Sequence, residues 1–456
     1  MAGGKAAVSP QMRALANYMA RAPRRALPAA VSEKTKHHIA DSLAAMVSGS
    51  RLAPGRLAAS YARTEGGRPE AGVAGTRIVT SAVGAALANA MMAHADETDD
   101  SHQPAFFHPG CAIVPAALAM GERDRRSGAE LLRAVALGYD IGARVNFALG
   151  AMKFHLAGHS THSFGALFGA AAAAGALARL PERGMRHLLS YTAQQAAGVS
   201  CWMRDPDHVE KAFDFGGMPA RNGVAAATMV ASGCTGVEDV FSGERSFFVA
   251  FGRDAEPERL TAGLGRTWEI LNANVKKWSV GSPIQAALDS LEALLAEHRF
   301  GARDVARVTI EVQDHEAAIV NNRDMPDICL QHLAALMLLD GTVTFASSHD
   351  ERRMKDRRVL EMRRRIEFRG SAEFTRAGGR QAIVEVELAG GRRLRHHTQV
   401  VKGTAGNPMS RAEVDAKCYD LVAPILGKNR GRALLDAVWS LERLSDVRKL
   451  RPLLQG

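Results

Sequence analysis

Apolar positions recur every three or four residues through most of this chain, and the period changes over one stretch in its C-terminal half. After Ser32, read as an N-cap, Ile39, Leu43, Met46 and Val47 fall on one stripe of a helix. The same spacing returns over residues 81–93, 110–121, 128–148, 163–180, 184–198 and 219–232, with Gly and Pro between the runs. Before about residue 270 nothing alternates with period two for long enough to predict a strand. Beyond it, Val308-Thr309-Ile310-Glu311-Val312, residues 365–368, Ala382-Ile383-Val384-Glu385-Val386-Glu387-Leu388 and residues 395–401 alternate apolar with polar. Gly390-Gly391 suits the hairpin turn joining the last two. Helical spacing occupies 283–298, 329–339 and 410–425 and continues through Leu444. The pattern predicts a mainly α protein: a large all-helical domain over 1–272, a smaller α+β domain over 273–403, and a helical tail over 404–456 returning to the first domain.

Composition narrows this picture. A length of 456 residues exceeds what one core supports, so more than one domain is expected. Hydrophobic residues make up 46% and aromatics only 5%, so closely packed small-residue helices are expected instead of aromatic-filled cores. The run over 163–178 is too short and too rich in Ala and Gly for a bilayer span and reads as a core helix. Five scattered cysteines without a Cys-x-x-Cys pair indicate neither a disulfide framework nor an iron–sulfur cluster, and they suit a reducing compartment. Residues 1–30 carry Lys5, Arg13, Arg21, Arg24 and Arg25 without an acid, as a transit peptide does; an ordinary first helix over 11–21 is the preferred reading. The net charge of +10 raises nucleic acid as a partner, but the densest basic run, 352–365, holds Asp356 and Glu361 and no aromatic ring to stack on a base. A solvated helix face accounts for it better, and part of the excess charge suits a small anionic substrate.

Four stretches concentrate chemistry. The first, His94-Ala95-Asp96-Glu97-Thr98-Asp99-Asp100-Ser101-His102 followed by Gln103-Pro104-Ala105-Phe106-Phe107-His108-Pro109, puts four carboxylates and three imidazoles within fifteen residues, between two apolar helices. Charges at such a seam must be paired or solvated in a cleft, because burying them alone costs several kcal/mol. The second, His155 to Gly165 ahead of a small-residue helix, places three histidines near a positive helix end; a histidine-rich loop capped by Ser160 or Thr161 is the plain alternative. The third is Lys211 ahead of Phe213-Asp214-Phe215-Gly216-Gly217, and the fourth is Lys276-Lys277-Trp278 at the predicted domain junction. A lone lysine is most often a solvated tip, so neither of the last two carries weight by itself.

The ordered set resembles the MmgE/PrpD family, which includes 2-methylcitrate dehydratases, cis-aconitate decarboxylase and iminodisuccinate epimerase. An apolar helix, His-Ala-x-Asp-x-Asp-Asp-Thr/Ser, then His-Pro before a second helix is similar to residues 94–109, with Asp99, Asp100, Ser101 and His108 fitting and Glu97 standing for an aspartate. The family's His-x-Thr-x-x-Phe-Gly matches His159, Thr161, Phe164 and Gly165, leaving His155 and His162 without counterparts. Lys211 and Lys276 match its lysines; Arg221 is offset, Gln285 replaces a histidine, and His332 replaces a tyrosine. The resemblance implies a helical domain with a smaller lid domain, a cytoplasmic homodimer, no metal and no cofactor. It also implies a lyase acting on a small di- or tricarboxylate.

Proton removal α to a carboxylate creates a dianionic enolate, which Lys211 and Lys276 would stabilise. His108 and His159 form the acid–base pair, Asp99 or Asp100 orients one ring, and Glu97 is a further base, while Ser101, His102, Thr161 and His332 contact substrate. Dehydration of a 2-methylcitrate-like acid is the first expectation, with decarboxylation or epimerisation by the same groups as the alternative. Two other readings stay open. One is a divalent-metal enzyme using His94, Asp99, His102 and His108. The other is a binding protein that has lost the chemistry, motivated by the departures at Glu97, Gln285 and His332.

Overall fold

The computed structural model describes residues 8–252 and 254–456. Lys5, counted above among the N-terminal basic residues, lies outside them, and Arg13 and Arg21 fall on the helix Pro10–Arg21. Helix accounts for 61% of the chain and strand for 9%, so the protein is mainly α with a smaller α+β part. It divides into two compact units, one comprising the described residues up to Ala273 together with Val414–Gly456, the other Asn274–Glu413.

In the first unit the helices Ala29–Gly49, Ala82–Ala93, Gly110–Arg123, Gly128–Ala148, Thr161–Leu177 and Met218–Ala231 enclose the core. One start differs from expectation. The first of these begins at Ala29, where Pro28 enters in an extended conformation, so Ser32 falls in the first turn and does not cap it. The low aromatic content has its explanation in the packing of the Gly128–Ala148 and Thr161–Leu177 helices. A Cβ on Gly138 would stand 2.8 Å from the Gly169 carbonyl oxygen, and one on Gly142 2.5 Å from that of Gly165. The two backbones therefore touch, and only glycine fits at those crossings. Every residue of Thr161–Leu177 is buried, which suits its lack of a polar face. Among the described residues no helix is long and apolar enough to cross a membrane.

The second unit is built on a four-stranded sheet ordered Ile366–Ser371, Val305–Gln313, Ala382–Leu388, Arg393–Thr398. The first pair is parallel, with Val308 opposite Ile366; the other two are antiparallel, with Ile310 opposite Val384 and Val384 opposite His396. Gly391 supplies the left-handed residue of the hairpin, at φ +80°. Val308, Ile310, Val384 and Val386 face Leu288, Leu291 and Leu333 in the core, which explains the period-two pattern. Their polar neighbours pair across the opposite face, as Arg307 with Glu367 and Arg395 with Glu385 do. In the basic segment Arg352 pairs with Asp350 and Arg357 with Glu361, both arginines being 92% exposed.

Candidate active site

Residues 94–109 connect the Ala82–Ala93 helix to the Gly110–Arg123 helix, and nearly all of their charge is buried. Side chains of the loop close much of it upon itself. Asp96 accepts from the Thr98 amide at 2.9 Å and from its hydroxyl at 2.7 Å. Asp99 stands between two imidazoles, 3.0 Å from His94 Nδ1 and 3.3 Å from His108 Nδ1. Burial alone would push its carboxyl upward, but the facing charges and hydrogen bonds of His94 and His108 hold it well below the usual carboxylate range. A buried ionised carboxylate that fixes the Nδ1 side of a ring leaves Nε2 as that ring's working atom.

Asp100 has the structural half of the work. It accepts from the Tyr139 hydroxyl at 2.6 Å and from the Gly110 amide at 2.8 Å, so it holds the amino end of the following helix. A Cβ on Gly110 would lie 2.6 Å from its Oδ1, which makes glycine necessary there. His38 Nδ1 is 2.6 Å from its other oxygen, and burial drives that imidazole down to about 4, so His38 is neutral at pH 7. Ser101 is buried beside it. His102 donates from Nε2 to Glu269 at 3.2 Å and accepts the Ala105 amide on Nδ1 at 3.1 Å. Both of its nitrogens are thus committed to holding the loop, which removes it from any ligand set for a metal.

Facing the loop is an aromatic wall. Phe215, in the segment Phe213–Gly217, has His162 stacked on it at 3.8 Å between ring centroids and His94 at 4.3 Å. His108 lies 5.4 Å from His162 and 5.1 Å from His94. Trp202 meets Phe215 edge-on at 4.6 Å, and the Lys211 ammonium sits over both rings, 5.6 and 5.3 Å from their centroids. Lys211 pairs with Glu97, which is 6% exposed. Burial, followed by the charges of His108, His155, His94 and Lys211, holds His162 well below the ordinary histidine value.

Helix entry explains how these groups are presented. Ser160 caps the Thr161–Leu177 helix, its hydroxyl accepting from the Ser163 amide and donating to Asp214. Asn146 donates to the carbonyls of Ala105 and Thr161, both at 2.9 Å, and so ties the acidic loop to that helix end. The Thr161 hydroxyl oxygen is buried without a hydrogen-bond partner among the described residues.

His108, Glu97, Asp99 and Lys211 are therefore brought together. His159 is not with them: it stacks on Phe154 at 4.3 Å with Phe164 and Phe251 around it, and its backbone bridges to Val199. The imidazole presented to His108 from that helix end is His162, one helical turn further on. Its apolar neighbours along the helix gave no sign of this, because Phe215 comes from a distant part of the chain. His94 and Trp202 were missed as wall residues for the same reason. Lys276 and His332 belong to the second unit, buried at 4% and 0% exposure, and burial lowers His332 to about 4. Gln285, which stands where a histidine was expected, accepts from the Trp278 amide and donates to the carbonyls of Trp278 and Val280, so it braces the turn after Lys276.

Comparison with known proteins identifies the family. The MmgE/PrpD N-terminal domain matches residues 13–260 and the MmgE/PrpD C-terminal domain residues 278–443. The chain is 24% identical to the cis-aconitate decarboxylase-like protein oryM of Aspergillus oryzae, over 94% of each chain. It is 24% identical to cis-aconitate decarboxylase of Aspergillus terreus, over 82% of this chain and 81% of that one. With the human cis-aconitate decarboxylase the identity is 25%, over 93% and 90%. Two domain matches that cover nearly the whole polypeptide, in order, place this chain in the MmgE/PrpD family.

Proposed function

We propose that the chain is a lyase acting on a small polycarboxylate, and that the reaction is decarboxylation of an unsaturated tricarboxylate of the cis-aconitate kind. This reading replaces the dehydration expected from the sequence, because the relatives matched over most of their length carry the decarboxylase name. The observation that carries the reading is the His108–Asp99 pair at 3.3 Å, set beside Lys211 and the Phe215 wall. When the carbon–carbon bond to the departing carboxylate breaks, its electron pair becomes a new double bond and CO2 leaves. The pair of the former double bond moves onto the carbon α to a remaining carboxylate, where charge spreads into that carboxylate. Lys211 offsets this charge, and His108, oriented by Asp99, delivers the proton that completes the product. His162, stacked on the same wall, relays that proton, and Glu97 positions Lys211. A role for Lys276 in offsetting the same charge, and roles for His332, Ser101 and Thr161 in holding substrate, follow the expectations drawn from the family resemblance, as do the homodimer and the cytoplasmic compartment.

The test is an assay of purified, chelator-treated protein on cis-aconitate, citrate and 2-methylcitrate, following CO2 release and alkene formation separately. Release of CO2 from cis-aconitate is expected. Alkene formation from a hydroxy acid without CO2 would return the assignment to dehydration, and folded protein that turns over none of them would overturn the lyase reading.

A further inference from the structure

Beside the proposed proton-transfer pair lies a second constellation, of which the mechanism uses only Glu97. His94, Glu97 and His208 each offer one ligand atom, and those atoms all lie within 4.8 Å of one another. Three features make this more than proximity. First, His94 Nε2 and His208 Nε2 are buried without a hydrogen-bond partner among the described residues, on side chains 0% and 7% exposed. A buried imidazole nitrogen that finds no donor or acceptor is costly and rare. Second, His94 bonds Asp99 through Nδ1 at 3.0 Å, the carboxylate–imidazole arrangement that fixes the tautomer of a metal-binding histidine and leaves Nε2 as its donor atom. Third, His208 adopts φ +58°, a left-handed conformation unfavourable for a residue with a Cβ, and its ring is held 5.2 Å from that of His94.

We propose that His94, Glu97 and His208 bind one transition-metal ion of the zinc class, and that its occupation inhibits the enzyme by taking Glu97 from Lys211 and locking His94. Two imidazoles and one carboxylate are a borderline-soft donor set that leaves a fourth tetrahedral position for water. Ligands about 2.1 Å from zinc stand about 3.4 Å apart, so small side-chain rotations close the site. The alternative trio His94, Asp99 and Cys111 is poorer, because the Cys111 thiol donates to the His108 carbonyl at 3.3 Å and Asp99 holds two rings. The Lys211 ammonium competes with the metal for Glu97, so removing it must tighten binding.

Binding is independent of the reaction assigned above; only the inhibition rests on that reading. The experiment titrates chelator-stripped full-length protein with Co2+, followed by its visible ligand-field bands, and with Zn2+ by calorimetry. One equivalent with tetrahedral-type bands is expected. His208→Asn, which tolerates the left-handed backbone, weakens binding at least tenfold, Lys211→Met tightens it, and the zinc inhibition curve of His208→Asn shifts by the same factor as its affinity while its metal-free activity is unchanged. Should His208→Asn fail to fold, Glu97→Gln is expected to show the same loss of binding. Wild-type protein that binds no stoichiometric metal, or a folded His208→Asn or Glu97→Gln that binds as tightly as wild type, would overturn the proposal.

Discussion

At the scale of single residues, the candidate site separates groups that work from groups that hold. His108 keeps one nitrogen on a buried carboxylate and retains some solvent access, at 12% side-chain exposure, which is the position of a proton carrier. Replacing it with Gln preserves volume and hydrogen bonding. Its expected effect is a loss of kcat of about two to four orders of magnitude with an unchanged unfolding midpoint; a parallel loss of stability would mark His108 as structural. Asp214 makes a separate prediction. Burial pushes its carboxyl up to about 7, against the Ser160 hydrogen bond that lowers it, with the Glu210 charge adding to the rise. Between its ordinary value and about 7 the folded protein holds a proton that the unfolded chain has released. The resulting stabilisation is complete in acid and is lost as pH rises through about 7, by up to about 4 kcal/mol. Urea midpoints at pH 5 and pH 8 should therefore fall with pH in the wild type and fall much less in Asp214→Asn.

At the scale of elements, the acidic loop is held from behind by a helix that comes from the other end of the chain. In the Arg411–Leu426 helix, Lys417 donates to Asp41 at 2.6 Å and to the Thr98 carbonyl at 3.0 Å, with Asp41 fully buried. Burial pushes the Asp41 carboxyl up to about 6, against the pull of Lys417. Removing one partner of a buried pair strands the other, so Lys417→Met is expected to cost about 3–5 kcal/mol. The double change Asp41→Leu with Lys417→Met should recover most of that stability, since apolar replacements of a buried pair are often neutral. Denaturant unfolding of the four proteins in the cycle measures it; a double variant no more stable than the single one would show that Lys417 acts only through Thr98. Sequence periodicity had made both helices legible, because Val414, Cys418, Leu421 and Val422 lie on one buried stripe. It carried no information that the lysine of one would meet the aspartate of the other.

At the scale of the whole molecule, the segment Val414–Gly456 completes the first unit after Asn274–Glu413 has formed the second. Its apolar stripe, and Leu434, Leu435 and Val438 after it, are buried in that unit. A chain ending at Glu413 is accordingly expected to be insoluble or molten, with exposed hydrophobic dye-binding surface, whereas wild type unfolds cooperatively; a cooperative transition in the truncated chain would refute this. Local pattern by itself determined the helices, the alternating strands with their glycine turn, and the charged loop between two apolar helices, because each depends on neighbours three, four or two residues away. Burial and pairing of that loop were legible too, since isolated charges do not persist at such a seam. Which imidazole faces His108 was decided only by the tertiary structure: Phe215, from a segment far along the chain, stacks His162 into place and leaves His159 among Phe154, Phe164 and Phe251. The same holds for His94 meeting His208 and for Lys417 reaching Thr98. Contacts between distant segments depend on how whole elements pack, and no short-range period in a sequence encodes them.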